Sequence, residues 1–580
     1  SNIGDWISKE IKTYFQVDGK PLGEKNPKWL QDDYVKFIRF AQWKIDHVGE
    51  GVLGFITNHG YINNPTFRGM RQSLMKSFNE IYILNLHGNS LKKERCPDGS
   101  KDENVFDIQQ GVAIALFIKR KDLSLREALA TKQSKSKEIA SPSARNDGKC
   151  KISHSELWGI RKVKYNWLNK HDIKTTKWKT IKPKSEFYLF IPRDERLLKL
   201  YETYPKVTDI FPVNSVGIVT ARDNLTIKWT TNEIWQTILN FSKLDTELAR
   251  QAYNLGDDVR DWKVWLAQKD LKDSGLDKKK IVPILYRPFD IRHTYYTGKS
   301  RGFHCMPRPE VMQHMLHENL GLLTCRQQNT TGFYHVFISD NIVESCIVSN
   351  QTREISYLFP LYLYQQNDKP KKRSFSTVML LFEPAAEYML RKPNLSQELM
   401  ERLTKEYKKT PFPEEIFHYI YAVLYSNIYR TQYAEFLKID FPRIPFAKDY
   451  KLFKKIGDYG EKLVNLHLLK SSELDTPVAK LQGKGNDKVE KLRYEKGKLY
   501  INDDQYFEGI SPEVWEYQIG GYQVCEKWLK DRKGKTLSVE DTKHYCKVAT
   551  ALKKTIEIQE KIDSIYPDIE KEAIDFSSIP

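Results

Sequence analysis

The chain has 580 residues, 40% hydrophobic and 29% charged, which excludes a disordered polymer and calls for more than one core, since single cores rarely grow past roughly 250–300 residues. Its longest apolar run, VAIALFI at 112–118, is far short of the ~20 residues of a membrane helix, and its first residues lack the basic and apolar regions of a secretory signal. The net charge of +18 with 12% aromatic residues favours a polyanionic partner, nucleic acid before an anionic membrane. Seven cysteines without a CxxC pair argue against a zinc ribbon or a disulfide framework.

In chain order, DDYVKFIRFAQWKI predicts a helix with Tyr34, Phe37, Ile38, Ala41 and Ile45 on its inner face. Gly49-Glu50-Gly51-Val52-Leu53-Gly54 matches GxGxxG by letter. A dinucleotide loop, however, follows a strand and opens a helix, whereas this one precedes VLGFIT and reads as a tight turn into a buried strand. TFRGMRQSLMKSF predicts a second helix, IYILNLHG a second strand, and 112–118 a third. This alternation predicts a mostly parallel α/β sheet, and nothing before Gly51 reads as a strand. The third strand is led in by Phe106, Asp107, Gln109 and Gln110, an aromatic, an acid and two amides at the mouth of a core segment.

Charge then concentrates. Between Thr131 and Glu186 there are fifteen Lys/Arg and five Asp/Glu, a net of +10. TKQSKSKEIASPSARNDGK (131–149) reads as a linker. In WGIRKVKYNWLNKHDIKTTKWKTIKPK the interleaved Trp and Tyr suit a nucleic-acid face as well as a merely exposed one. From FYLFIPRD (187–194) onward the pattern is irregular α+β, with a more helical part from Pro413 and a charged β-like excursion, GKGNDKVEKLRYEKGKLYIND, within it. The expected divisions are 1–125, 126–190, 191–410 and 411–580.

Within 286–310, Arg287, Arg292, Lys299, Arg301 and Arg308 lie among Tyr286, Phe289, Tyr295, Tyr296 and Phe303, and TGKSRG is a glycine-flexible basic loop. Arginine in such a block could read guanine and lysine hold phosphate; the alternative is a β-hairpin with its aromatics packed inward. Arg326, in CRQQNTTGFYHVF, adds a second candidate loop, and KPKKRSF (369–375) reads as a solvated one. RKGKTLS (532–538) is like the end of a P-loop, but the required first glycine falls on Leu529. No HExxH, nucleophile elbow or metal-spaced His/Asp cluster is present, so no metal is expected.

Taken as an ordered series, YVKFIRFAQWKI, GEG, VLGFIT, NHGYI, FRGMRQSLMKSF, IYILNLHG and VFDIQQGVAIALFIK resemble the second half of a gamma-order N6-adenine DNA methyltransferase domain. The downstream blocks YRPFDIRHTYYTGKSRGFHCMPRPEVMQHML, SYLFPLYLY, YAEFLKIDFPRIPF and YQIGGYQVCEKWLKDRKGKTLS resemble the target-recognition and C-terminal regions of Type ISP and Type IIG restriction–modification enzymes. The resemblance covers nearly the whole chain. It implies an α/β, partial Rossmann-like methyltransferase sheet in 1–125, a basic linker or insertion in 126–190, and an α+β target-recognition region that becomes helical after 411.

It also implies site-specific adenine-N6 methylation of double-stranded DNA, with S-adenosylmethionine as donor, in the bacterial cytoplasm. An adenine inside a duplex must be flipped out to be methylated, and Phe106 holds the position that stacks on the extruded base. Asn58 and Tyr61, after the VLGFIT strand, would line the cofactor or base pocket or merely lead into a helix. Arg287, Arg292, Tyr295, Lys299, Arg301, Arg308 and Arg326 are the candidate DNA contacts. The chain departs from the family in lacking the Asn/Asp-Pro-Pro-Tyr/Phe catalytic loop and the glycine-rich cofactor loop. NNPT at 63–66 is misplaced and lacks the second proline and the aromatic. The expectation is one part of a longer chain, inactive alone and poor at binding S-adenosylmethionine; the alternative is a non-catalytic specificity module that only binds duplex DNA.

Overall fold

The structure, a computed structural model, describes residues 2–23, 27–90, 94, 96–121, 150–184, 187–192, 196–328, 332–350, 354–364 and 391–577. The linker at 131–149 and KPKKRSF at 369–375 lie outside the described residues. The chain divides into two compact units, Ser1–Asp194 and Glu195–Pro580.

In the first unit, helix α1 (Asp33–Val48) ends at Gly49, whose φ of 86° closes the helix in the left-handed conformation glycine favours. The chain then turns into β1 (Gly51–Asn58), as the GEG reading expects. The buried face of α1 differs from the expected one: Val35, Ile38, Arg39 and Gln42 face inward, while Phe37 is 61% exposed. Hydrogen bonding sets the rotation. Gln42 bonds Tyr14, Ser73 and Ser77, and Arg39 pairs with Glu10 at 2.6 Å, so two polar side chains are fully satisfied inside.

Helix α2 (Arg68–Ser77) leads to β2 (Glu80–His87), and β3 (Val112–Lys119) follows. The described part of the basic stretch supplies β4 (Lys151–Glu156), helix α3 (Arg161–Leu168) and β5 (Lys179–Ile181). The five strands form one sheet in the order β1-β3-β2-β4-β5. The expected mostly parallel sheet is not what forms. β3 lies between β1 and β2 and runs antiparallel to both, β4–β5 is antiparallel, and β2–β4 is the parallel ladder. Continuous apolar strands reflect burial, which an inserted antiparallel strand meets as well as a parallel one. Ile38, Leu74, Ile81, Ile83, Ala115 and Phe117 form the core beneath one face. β1 ends the sheet, with Val52 and Ile56 exposed on the other face.

The second unit is mixed α/β. Strands β6 (Ser215–Val216), β7 (Ile227–Lys228), β8 (Ile281–Arg287), β9 (Asp290–Tyr295), β10 (Gly321–Cys325), β11 (Val336–Ser339), β12 (Ile342–Val343) and β13 (Ser356–Pro360) make two four-stranded sheets. Their orders are β12-β8-β9-β7 and β11-β10-β13-β6. Helix α4 (Pro413–Tyr425) is buried along Ile416–Tyr425 and packs on α5 (Tyr450–His467), where Gly460 lies so close to the His418 carbonyl that a Cβ would sit 1.8 Å from it. The last helix, α6 (Val539–Lys571), starts at a Ser538–Asp541 capping box. The charged excursion supplies two strands, Arg493–Glu495 and Lys498–Tyr500, of a small four-stranded sheet.

Candidate functional site

Residues 102–111 form a loop between the end of β2 and the start of β3, held from outside by one face of α3. Lys164 Nζ donates to the carbonyls of Leu86 and Glu103, 2.7 Å each, and pairs with Asp102 at 2.6 Å with both side chains fully buried. The Asp102 carboxylate also accepts from the Gly88 and Gly159 amides. Arg161 donates to the carbonyls of Asn104 (2.8 Å) and Phe106 (3.0 Å) and to Asp107 (2.7 Å). The Tyr165 hydroxyl donates to the Val105 carbonyl at 2.6 Å. Within the loop, Asn104 Oδ1 accepts the Phe106 amide and Nδ2 donates to Gly88 and Gln110. Gly88, at φ 81°, makes the approach possible, since a Cβ there would lie 2.4 Å from Asn104 Cα. The outcome is a fixed backbone with Phe106 42% and Ile108 46% exposed.

Beside this loop, at the end of β2, His87 stacks on Trp158 with ring centroids 3.3 Å apart and lies near Glu156 (3.7 Å) and Glu94 (3.9 Å). His59 Nδ1 meets Asn85 Oδ1 at 2.9 Å. Burial opposes charge on His87, but hydrogen bonding to Glu156 and Glu94 outweighs it and raises its pKa. At Glu94 burial likewise works against ionisation, and the His87 bond leads the effects that draw its pKa down to about 2. Neighbouring His154 is kept neutral, lowered to about 4 chiefly by burial. A raised histidine stabilises fully below its unfolded pKa of ~6.5 and loses that contribution as pH climbs through the folded value. The expected result is a melting temperature that falls as pH rises above the ordinary histidine value of ~6.5, with a visibly shallower fall in His87→Gln; equal slopes by calorimetry would refute the pairing.

Asn58 Oδ1 accepts the Gly60 amide, shaping the turn after β1. Tyr61 is fully buried against Tyr34. Both therefore serve the helix-leading turn, and the Tyr61 ring is closed to a ligand.

The first part of the block at 286–310 lies in a hairpin, β8–β9, which was the alternative to a DNA-contacting face. Arg287 is buried, paired with Glu344 and stacked over Tyr286. Tyr295 is fully buried, with its hydroxyl at 2.9 Å from Ser274 Oγ. Arg292 lies between the Trp229 and Tyr286 rings and pairs with Asp290 at 2.8 Å. Asp290 also holds Arg532, which stacks on Trp528, so RKGKTLS closes a packed cation–aromatic layer. Three of the candidates thus hold the hairpin together. Lys299 and Arg301 do face solvent, beside Asp273 (3.1 Å) and Asp261 (3.6 Å). Arg308 precedes a short helix with φ 56° and approaches Met306 Sδ. Arg326 lies 3.3 Å from Asp440, which Lys206 also pairs.

Arg161, Lys164, Tyr165 and the His87 environment were not singled out from sequence. The signal was present in RKVKYNWL: three donors at i, i+3 and i+4, which share one helical face.

The family pattern described as the Type ISP C-terminal specificity domain matches residues 209–561. No curated protein sequence matches the chain. Among solved structures, the DrdV–DNA complex aligns over 96% of this chain and 54% of its own, with TM-score 0.70 and 21% identity. A nuclease-deletion mutant of the Type ISP restriction-modification enzyme LlaGI, in complex with a DNA substrate mimic, aligns over 96% and 42%, with TM-score 0.64 and 19% identity. The ATP-dependent Type ISP enzyme LlaBIII bound to DNA aligns over 96% and 35%, with TM-score 0.69 and 19% identity. The chain spans about half, or less, of the length of these proteins.

Proposed function

We propose, from the premise that this chain belongs to the family of Type ISP C-terminal specificity domains, that its second unit recognises a DNA sequence within a restriction–modification enzyme. The observation that carries this reading is the family match over 209–561, most of Glu195–Pro580. The first unit is part of a Rossmann-like adenine-N6 methyltransferase domain. The strand order with β3 between β1 and β2, and the eight-residue β1 at the edge, support a sheet that continues with further strands. In this reading the duplex is opened and the target adenine stacks on Phe106, whose ring stands free of the core. S-adenosylmethionine would be the methyl donor of the complete enzyme, in the bacterial cytoplasm. Tyr61 does not fit as its holder, because it is sealed in the core, whereas Asn58, whose Oδ1 closes a turn, stays a candidate.

The solvent-facing cations Lys299 and Arg301 belong to the phosphate-contacting surface in this reading. Fluorescence anisotropy with duplex DNA tests it. Affinity should fall about a thousandfold or more between about 50 and about 200 mM salt if six or more phosphates are contacted. Lys299→Ala should lower the slope of log affinity against log salt by about one. Binding indifferent to salt would refute a phosphate-reading surface.

A further inference from the structure

We propose that α3 is a positioning element for the base-stacking aromatic: Arg161, Lys164 and Tyr165 fix the backbone of 103–106 so that Phe106 is presented to an extruded base. This deepens the reading above and rests on it. Four consecutive carbonyls, of Glu103, Asn104, Val105 and Phe106, each accept from a side chain of this helix. Loop carbonyls ordinarily turn to water; here no strand ladder occupies them, and charged or phenolic donors take all four. Bonds from ionised donors are the stronger kind, so the loop gains strand-like fixity without a strand.

The pattern of burial is inverted from what packing alone would give. A loop closed only to complete a core would bury its aromatic and leave the lysine beside it exposed. Here Lys164, on α3, is fully buried against the loop, while the loop's Phe106 is left 42% exposed. Arg161 extends the brace outward to Asp107, next to the exposed ring. A stacking ring delivers its interaction only if it is held in place before the base arrives, because ordering it on arrival would cost conformational entropy.

The test uses the complete enzyme and the duplex it binds most tightly, with 2-aminopurine replacing each adenine in turn; its emission rises when the base leaves the stack. Arg161→Ala is the main variant, because its side chain is partly exposed, and Tyr165→Phe removes one hydroxyl while keeping the ring. Expected is an emission rise at one adenine with the unaltered enzyme, reduced about tenfold in Arg161→Ala and less in Tyr165→Phe. Duplex affinity and melting temperature should stay unchanged. Emission retained in Arg161→Ala overturns the positioning role alone. Parallel loss of affinity, melting temperature and emission makes α3 a general structural support and also overturns it. No emission rise at any adenine with the unaltered enzyme overturns the base-extrusion reading, and this inference with it.

Discussion

Under the proposed function, replacing Phe106 by alanine in the complete enzyme should slow adenine methylation by about 5- to 150-fold, the rate equivalent of a base–aromatic stack of ~1–3 kcal/mol. Duplex affinity should hold within about a factor of two, because phosphate contacts dominate affinity and Phe106 supplies none. Folding stability should also hold, since the ring is 42% exposed and absent from the hydrophobic cores. The separation is what makes the experiment decisive. A ring that acts on the base changes turnover alone, whereas a ring that packs the loop would change stability and affinity together. Single-turnover methylation, equilibrium binding and denaturant unfolding measured on one preparation distinguish them.

Lys164→Met should destabilise the first unit by ~3–5 kcal/mol, because removing one partner of a buried pair leaves the other charge uncompensated. Asp102 would keep its two amide donors, Gly88 and Gly159, but lose the cation 2.6 Å away. The carbonyls of Leu86 and Glu103 would lose their donor as well. Adding Asp102→Asn to Lys164→Met should recover part of the loss by removing the stranded charge, as a double-mutant cycle reads directly. Urea unfolding followed by tryptophan emission gives the measurement, since Trp158, Trp167 and Trp178 all lie near α3 in sequence. An unchanged midpoint in Lys164→Met would mean that the pair contributes nothing net. The pH dependence at His87 and the salt slope at Lys299 probe neighbouring features by independent means.

Much of the first unit was legible in the residues. The period of 33–48, the GEG turn, the apolar runs at 52–57, 81–86 and 112–118, and the breakpoints between them are local properties, and local properties are what sequence periodicity carries. The helical character after Pro413 was legible for the same reason. Strand direction was not. Continuous apolar strands report burial on both faces, which β3 achieves by inserting antiparallel between β1 and β2. The inner face of α1 was displaced because Arg39 and Gln42 found buried partners on other elements, and partners distant in sequence leave no mark on a helical wheel.

The recognition block divides along the same line. Basic and aromatic residues interleaved at 286–310 suggested a nucleic-acid face, and composition alone cannot distinguish a cation stacked inside a fold from one directed at phosphate. The structure places Arg287, Arg292 and Tyr295 in packed pairs and leaves Lys299 and Arg301 outward. Sequence by itself determined the order of the elements, the basic balance of the chain and the presence of an aromatic at the mouth of the third strand. Tertiary structure alone decided that this aromatic stands exposed, because the groups fixing its backbone lie on a helix 54 to 61 residues farther along the chain, a separation that only folding closes.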